Sequence, residues 1–107
     1  MDLKYVKCLP ANTRGRDFAV GDLHGHVSLL LDILNGHNFD ARVDRVFSVG
    51  DLIDRGPDSL GSLQLLNEIW FHCVRGNHEQ MMVNYFLHPE HDKGYWFQNG
   101  GEWAQHH

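Results

Sequence analysis

The sequence predicts an α/β fold built on a parallel sheet, and three observations carry that prediction. Short apolar runs of strand length recur at Asp17 to Val20, Asp44 to Val49 and Phe71 to Val74. Segments with apolar residues at helical spacing separate them. Each run also ends at or just before a glycine that leads into a cluster of polar side chains. Strands alternating with helices argue for right-handed βαβ units, here a βαβαβ arrangement with flanking helices.

Taken in order, "DFAV" reads as the first strand, and "VSLLLDILNG" as the helix that follows it. Leu29, Leu30, Ile33 and Leu34 repeat at helical spacing, and Gly36 sits where a C-terminal cap belongs. "DRVFSV" is the second strand. Pro57 and Asp58 are expected to open the second helix, since the fixed φ of proline suits a first helical turn. Leu60, Leu63, Leu66 and Ile69 form its expected inner face. "FHCV" is the third strand, followed by a short helix carrying Met81, Met82, Tyr85 and Phe86. Beyond Pro89 the pattern weakens: "HPEHDKG" reads as a loop and "NGG" (Asn99 to Gly101) as a turn. Trp70, Trp96 and Trp103 are expected to fill the core or cover loops rather than to bind a cofactor.

Composition narrows the function classes. The 107 residues allow one small domain with a modest core, and 42% hydrophobic with 21% charged residues is ordinary for a globular chain. Net charge is −5 with no Lys/Arg stripe, which argues against binding nucleic acid through its phosphates. No apolar run approaches the roughly 20 residues that span a bilayer, so no membrane partner is expected. "MDLKYVKCLP" lacks the apolar core of a signal peptide, and a cytoplasmic address is expected. Cys8 and Cys73 form no disulfide or metal framework, and Cys73 is expected to act as a small apolar filler.

The polar clusters all fall just past the carboxyl end of a strand, where open parallel sheets place their binding crevice. "GDLHGH" supplies Asp22 and His24; "GDLIDRG" supplies Asp51, Asp54 and Arg55; "RGNHE" supplies Asn77 and His78. Carboxylate, amide oxygen and imidazole without thiolate suit ions such as Mn²⁺, Mg²⁺, Fe or Zn²⁺. Glycines at 21, 25, 50, 56 and 76 fit tight turns and close backbone approach. Read singly, Asp51 and Asp54 also fit caps or turns, and Arg55 a surface ion pair. Their occurrence in order, each after a strand, outweighs those readings.

These motifs resemble a known family. "GDLHGH", "GDLIDRGPDS" and "RGNHEQM" match the GDxHG, GDxxDRG and GNHE signatures of the calcineurin-like metallophosphoesterases, the fold of the PPP-type serine/threonine phosphatases. "RGNHEQMM" and "NGGEW" are similar to the bacterial and phage-type protein phosphatases. The resemblance runs from Asp17 to about Trp103 and covers the N-terminal half of the family domain. It implies a partial domain over residues 1–107, with residues 1–16 as a peripheral lead-in.

The resemblance also implies roles. Asp22 and His24 would ligate one divalent ion, Asp51 would bridge two, and Asn77 would ligate the second, with Mn²⁺ the first expectation. His78 would be the general acid, supported by Asp54, and Arg55 would grip the substrate phosphate. Two further histidine ligands, a second phosphate-binding arginine and a second sheet belong to a later part of the family domain. His26, His37, His72, His88, His91, His106 and His107 match no ligand motif. The implied partner is a phosphorylated protein or another phosphoester, and oligomeric state is left open. The alternatives are a bis(5'-nucleosyl)-tetraphosphatase and a non-catalytic remnant that binds metal or phosphate.

Overall fold

In the computed structural model of the chain, which describes residues 6–106, the expected alternation is present. β1 (Asp17–Val20), α1 (Val27–Gly36), β2 (Arg45–Ser48), α2 (Ser59–Gln64), β3 (Phe71–Cys73) and α3 (Asn77–Leu87) follow one another. Two short helices, α4 (Pro89–Asp92) and α5 (Tyr95–Gln98), and a 3₁₀ segment (Gly101–His106) complete it. Residues 1–5 of the expected lead-in, and His107, lie outside the described residues.

The sheet is parallel with order β1-β2-β3; Phe18 pairs with Val46 and Val46 with Phe71. Both crossovers step in the same direction, and right-handed crossovers then place α1 and α2 on one face of the sheet. The core confirms this one-sided arrangement. Val46 and Phe71 are buried with Leu30 and Leu34 of α1 and Leu65 after α2, while Phe18 and Val20 pack against them. The alternate residues Asp17, Ala19 and Phe47 are exposed or half-buried on the other side. The described part of the lead-in is tied to the base of the sheet. Asn12 Nδ2 donates to Val43 O at 2.8 Å, and the Arg16 N–H donates to Asp44 Oδ1 at 2.7 Å.

Five details depart from expectation. In α1 the inward residues are Val27, Leu30 and Leu34, whereas Leu29 and Ile33 are exposed. Gly36 is the last helical residue, and the left-handed cap is Asn38 (φ 57°). Asn38 N–H bonds Asn35 O and Phe39 N–H bonds Leu34 O, the pair of contacts that closes a Schellman motif. Pro57 precedes the cap of α2, which is Asp58, and the buried face is Ser59, Ser62 and Leu65. Leu60, Leu66 and Ile69 are exposed, and only Leu63 of the expected four packs on the core. The expected loop after Leu87 instead forms α4, with Pro89 at its start.

Candidate active site

The three strand-end loops are bonded to one another through their backbones. Leu23 and His24 both donate their N–H groups to Asp51 O, at 3.1 and 2.9 Å, and Gly25 donates to Leu52 O at 2.7 Å. Gly56 lies so close to the first loop that a Cβ there would sit 1.5 Å from His24 O. Between the second and third loops, a Cβ on Gly76 would lie 2.5 Å from Asp51 N. Only glycine permits these approaches. Gly21 has no such role, since a Cβ there would meet nothing within 4 Å.

Four of the expected site residues hold left-handed backbone: His24 (φ 43°), Asp51 (54°), Asp54 (75°) and Arg55 (71°). Each such non-glycine residue costs about 1–2 kcal/mol. The cost persists only where the surroundings over-determine the conformation, which is characteristic of functional loops.

At Asp51 that determination comes from Glu79, a buried residue in the first turn of α3. Its Oε1 accepts the Asp51 N–H at 2.6 Å and the Gly76 N–H at 2.9 Å; its Oε2 accepts the Leu52 N–H at 2.8 Å. One carboxylate thereby caps the helix and fixes the left-handed turn at Asp51. The sequence motifs by themselves give Glu79 no role. The available signal was an acid three residues after a helix-opening glycine, the reaching-back half of a capping box.

The expected ligands occupy the rim of these loops. His24 Nδ1 lies 2.9 Å from Ile53 O; a carbonyl can only accept, so Nδ1 carries the proton. The other ring nitrogen, Nε2, lies 3.9 Å from Asp22 Oδ2. A backbone bond that fixes the second ring nitrogen is the usual support for a metal-binding histidine. Asp51 Oδ1 accepts the His78 N–H at 2.9 Å, which ties this carboxylate to the start of α3, where Asn77 is the first residue. Among the described residues, no three His, Cys, Asp or Glu side chains gather closely enough to hold an ion by themselves. The donor set nonetheless fits a hard or borderline divalent ion, with the Asn77 amide and solvent completing it.

Behind the rim, His78 Nδ1 lies 2.8 Å from Asp54 Oδ2, and the His78 ring meets His24 edge to face at 4.8 Å. Asp54 is fully buried. Its carboxylate also accepts the Trp96 indole N–H at 2.8 Å on Oδ2 and that of Trp103 at 2.7 Å on Oδ1. The expectation that these tryptophans fill core holds for Trp96, which has no exposed surface, but leaves out both polar contacts. Arg55 is backed by the turn between α5 and the 3₁₀ segment, because a Cβ on Gly100 (φ 109°) would lie 3.0 Å from Arg55 Cγ.

Comparison with known proteins gives one consistent family. The model of the calcineurin-like phosphoesterases matches residues 18–106. "Serine/threonine-protein phosphatase 1" of Salmonella typhimurium is 50% identical over 86 residues, which cover 80% of this chain and 39% of the relative. "Serine/threonine-protein phosphatase 2" of Escherichia coli is 45% identical over 86 residues, with 80% and 38% covered. The symmetrical bis(5'-nucleosyl)-tetraphosphatase of Pseudomonas putida (strain W619) is 47% identical over 64 residues, 58% of this chain and 22% of the relative. A solved structure of a proposed diadenosine tetraphosphatase superposes with a TM-score of 0.62 at 38% identity, covering 74% of this chain and 36% of that one. The chain therefore spans less than two fifths of the protein phosphatases it matches. Because the family match runs through all three site loops, this chain belongs to the calcineurin-like phosphoesterases, hydrolases that use dimetal centres.

Proposed function

We propose that this chain carries the N-terminal half of the active centre of a metal-dependent phosphomonoesterase, a serine/threonine protein phosphatase. The observation that supports this most is the Asp51 peptide. Its carbonyl takes two N–H groups of the first loop and its carboxylate takes the His78 N–H of the third, so all three signatures meet there. Asp22, His24, Asp51 and Asn77 would hold two divalent ions, Mn²⁺ first among them given oxygen and imidazole donors without thiolate. When bound, the ions supply a water of lowered pKa and neutralise phosphate charge.

The chain's own groups do the rest. Arg55 offers a planar fork that matches two phosphate oxygens. With Nδ1–H held on Asp54, the other ring nitrogen of His78, Nε2, is the one that would carry a proton and give it to the leaving alkoxide as the P–O bond breaks. Asp54 keeps the ring in that orientation. Two unpaired cysteines, Cys8 and Cys73, suit a reducing, cytoplasmic setting.

The protein phosphatase reading rests on relatives that match over 86 residues, against 64 for the tetraphosphatases. The tetraphosphatase reading keeps its place because a solved structural relative bears that description. Hydrolysis of p-nitrophenyl phosphate with added Mn²⁺ tests the catalytic reading. Turnover in the wild type, lost at least a hundredfold in Asp51→Asn and His78→Asn, is expected. A folded chain without turnover would leave a metal- or phosphate-binding module instead. Parallel assays on a phosphopeptide and on diadenosine tetraphosphate separate the two substrate classes, with the phosphopeptide expected to be preferred.

A further inference from the structure

We propose that Trp96 and Trp103 are positioning residues for the proton donor: their indole N–H groups fix the Asp54 carboxylate so that it holds His78 in one tautomer and one orientation. This rests on the reading of His78 as general acid, and extends it to residues outside the three signatures.

The geometry carries the inference. A carboxylate with no exposed surface must replace its lost water with donors, or its burial costs several kcal/mol. Here His78 and Trp96 share Oδ2, each at 2.8 Å, and Trp103 takes Oδ1 at 2.7 Å. Indole nitrogen can only donate, so neither tryptophan competes with Asp54 as an acceptor for the imidazole proton. Two donors on different oxygens fix the plane of the carboxylate, and a fixed plane fixes the direction from which Oδ2 meets Nδ1.

The indoles are themselves held. Trp96 has no exposed surface, and Gly101 lies against it so closely that a Cβ would be 2.5 Å from Cδ2 and Cε2. Tyr85 and Trp103 meet its ring at centroid distances of 5.4 and 6.0 Å. Asp92 Oδ1 accepts the Trp96 backbone N–H at 3.2 Å. A segment needed only to fill space would be served by phenylalanine, which brings no buried N–H to satisfy. Instead, residues 42 and 49 positions beyond Asp54 bring their N–H groups to the same carboxylate.

The test uses the full chain with Trp96→Phe and Trp103→Phe, which keep an aromatic ring and remove the donor. In the metal-free protein, nitrogen-15 spectra at a pH where imidazole is neutral report the His78 tautomer. The wild type is expected to show Nδ1–H alone, and each variant a mixture. In Asp54→Asn, the indole resonances of Trp96 and Trp103 are expected to move while that of Trp70 stays. With Mn²⁺, each variant should slow phenyl phosphate, whose leaving group needs a proton, by about 10–100-fold. Hydrolysis of 2,4-dinitrophenyl phosphate, whose leaving group does not, should fall less than about threefold by the same reasoning.

An unchanged His78 tautomer in both variants, or equal slowing of both esters, would overturn the proposal. Trp103→Phe, at a half-buried position, serves if Trp96→Phe does not fold. If the wild type hydrolyses neither ester, the phosphatase reading fails, while the tautomer and indole spectra still decide whether the tryptophans position the dyad.

Discussion

At the scale of single residues, the second loop depends on Glu79, whose carboxylate accepts the Asp51, Leu52 and Gly76 N–H groups. Asp22, His24, Asp51, Asp54, Arg55, Asn77 and His78 stand in motifs beside glycines, so order and spacing expose them. Glu79 has a local capping-box contact with Gly76, but its bonds to Asp51 and Leu52 span 28 and 27 positions, and Trp96 and Trp103 reach Asp54 across 42 and 49, which no local pattern encodes. Glu79 gives the clearest test. Glu79→Gln preserves shape but turns an NH₂ group toward one or more of the three N–H groups now accepted, leaving a buried donor without a partner. The expected cost is about 1–3 kcal/mol of stability. Because Asp51 loses its support, Mn²⁺ binding should weaken by at least a factor of about 10 by analogy with other outer-shell substitutions. Chemical denaturation and Mn²⁺ titration check the two effects separately; unchanged Mn²⁺ affinity would show that the left-handed turn at Asp51 stands without Glu79.

At the scale of elements, bounds were more legible than faces. β1 and α1 run over the expected residues. Yet α1 contains Leu29, Leu30, Leu31, Ile33 and Leu34, and such a run of apolar positions does not say which stripe turns inward. In α2 the choice is made by the loop before it. The Asp54 N–H donates to Ser59 Oγ at 2.9 Å and Gly61 N–H caps on Asp58 Oδ1 at 2.8 Å, which rotates the serines inward and the leucines outward. At the opposite end of the strands, Asp44 joins the lead-in, the turn before β2 and Arg16. Its pKa is held below the ordinary 3.8, first by the backbone N–H of Asp40 and then by that of Arg16. Arg45 similarly lowers Asp17, and Arg42 lowers Asp40. A depressed folded pKa adds stability above the unfolded value, and that stability is lost as pH falls through the folded one. Acid unfolding followed by circular dichroism should therefore steepen below about pH 4, where an unperturbed carboxyl begins to titrate. Asp44→Asn is expected to lower stability at neutral pH and to flatten this acid limb. An unchanged acid limb would place the titrating carboxylates elsewhere.

At the scale of the whole molecule, strand order decides where stability resides. The order β1-β2-β3 with crossovers of one hand puts α1 and α2 on the same side, so Val46 is fully buried while Val49, just past the end of the same strand, is 58% exposed. Ile69 and Val74, which flank β3, are 90% and 63% exposed. Local pattern shows that a strand is apolar, whereas only the order of strands shows which face is covered. Substituting the same residue type at two positions isolates this effect. Val46→Ala removes two buried methyl groups and leaves a space the sheet cannot close, costing about 2 kcal/mol. Val49→Ala removes the same atoms from a largely solvated site and should change stability by no more than about 0.5 kcal/mol. Thermal denaturation of both variants beside the wild type measures the difference. Comparable losses would mean that Val49 is covered in solution, and that the stabilising contacts of this chain extend past its single buried face.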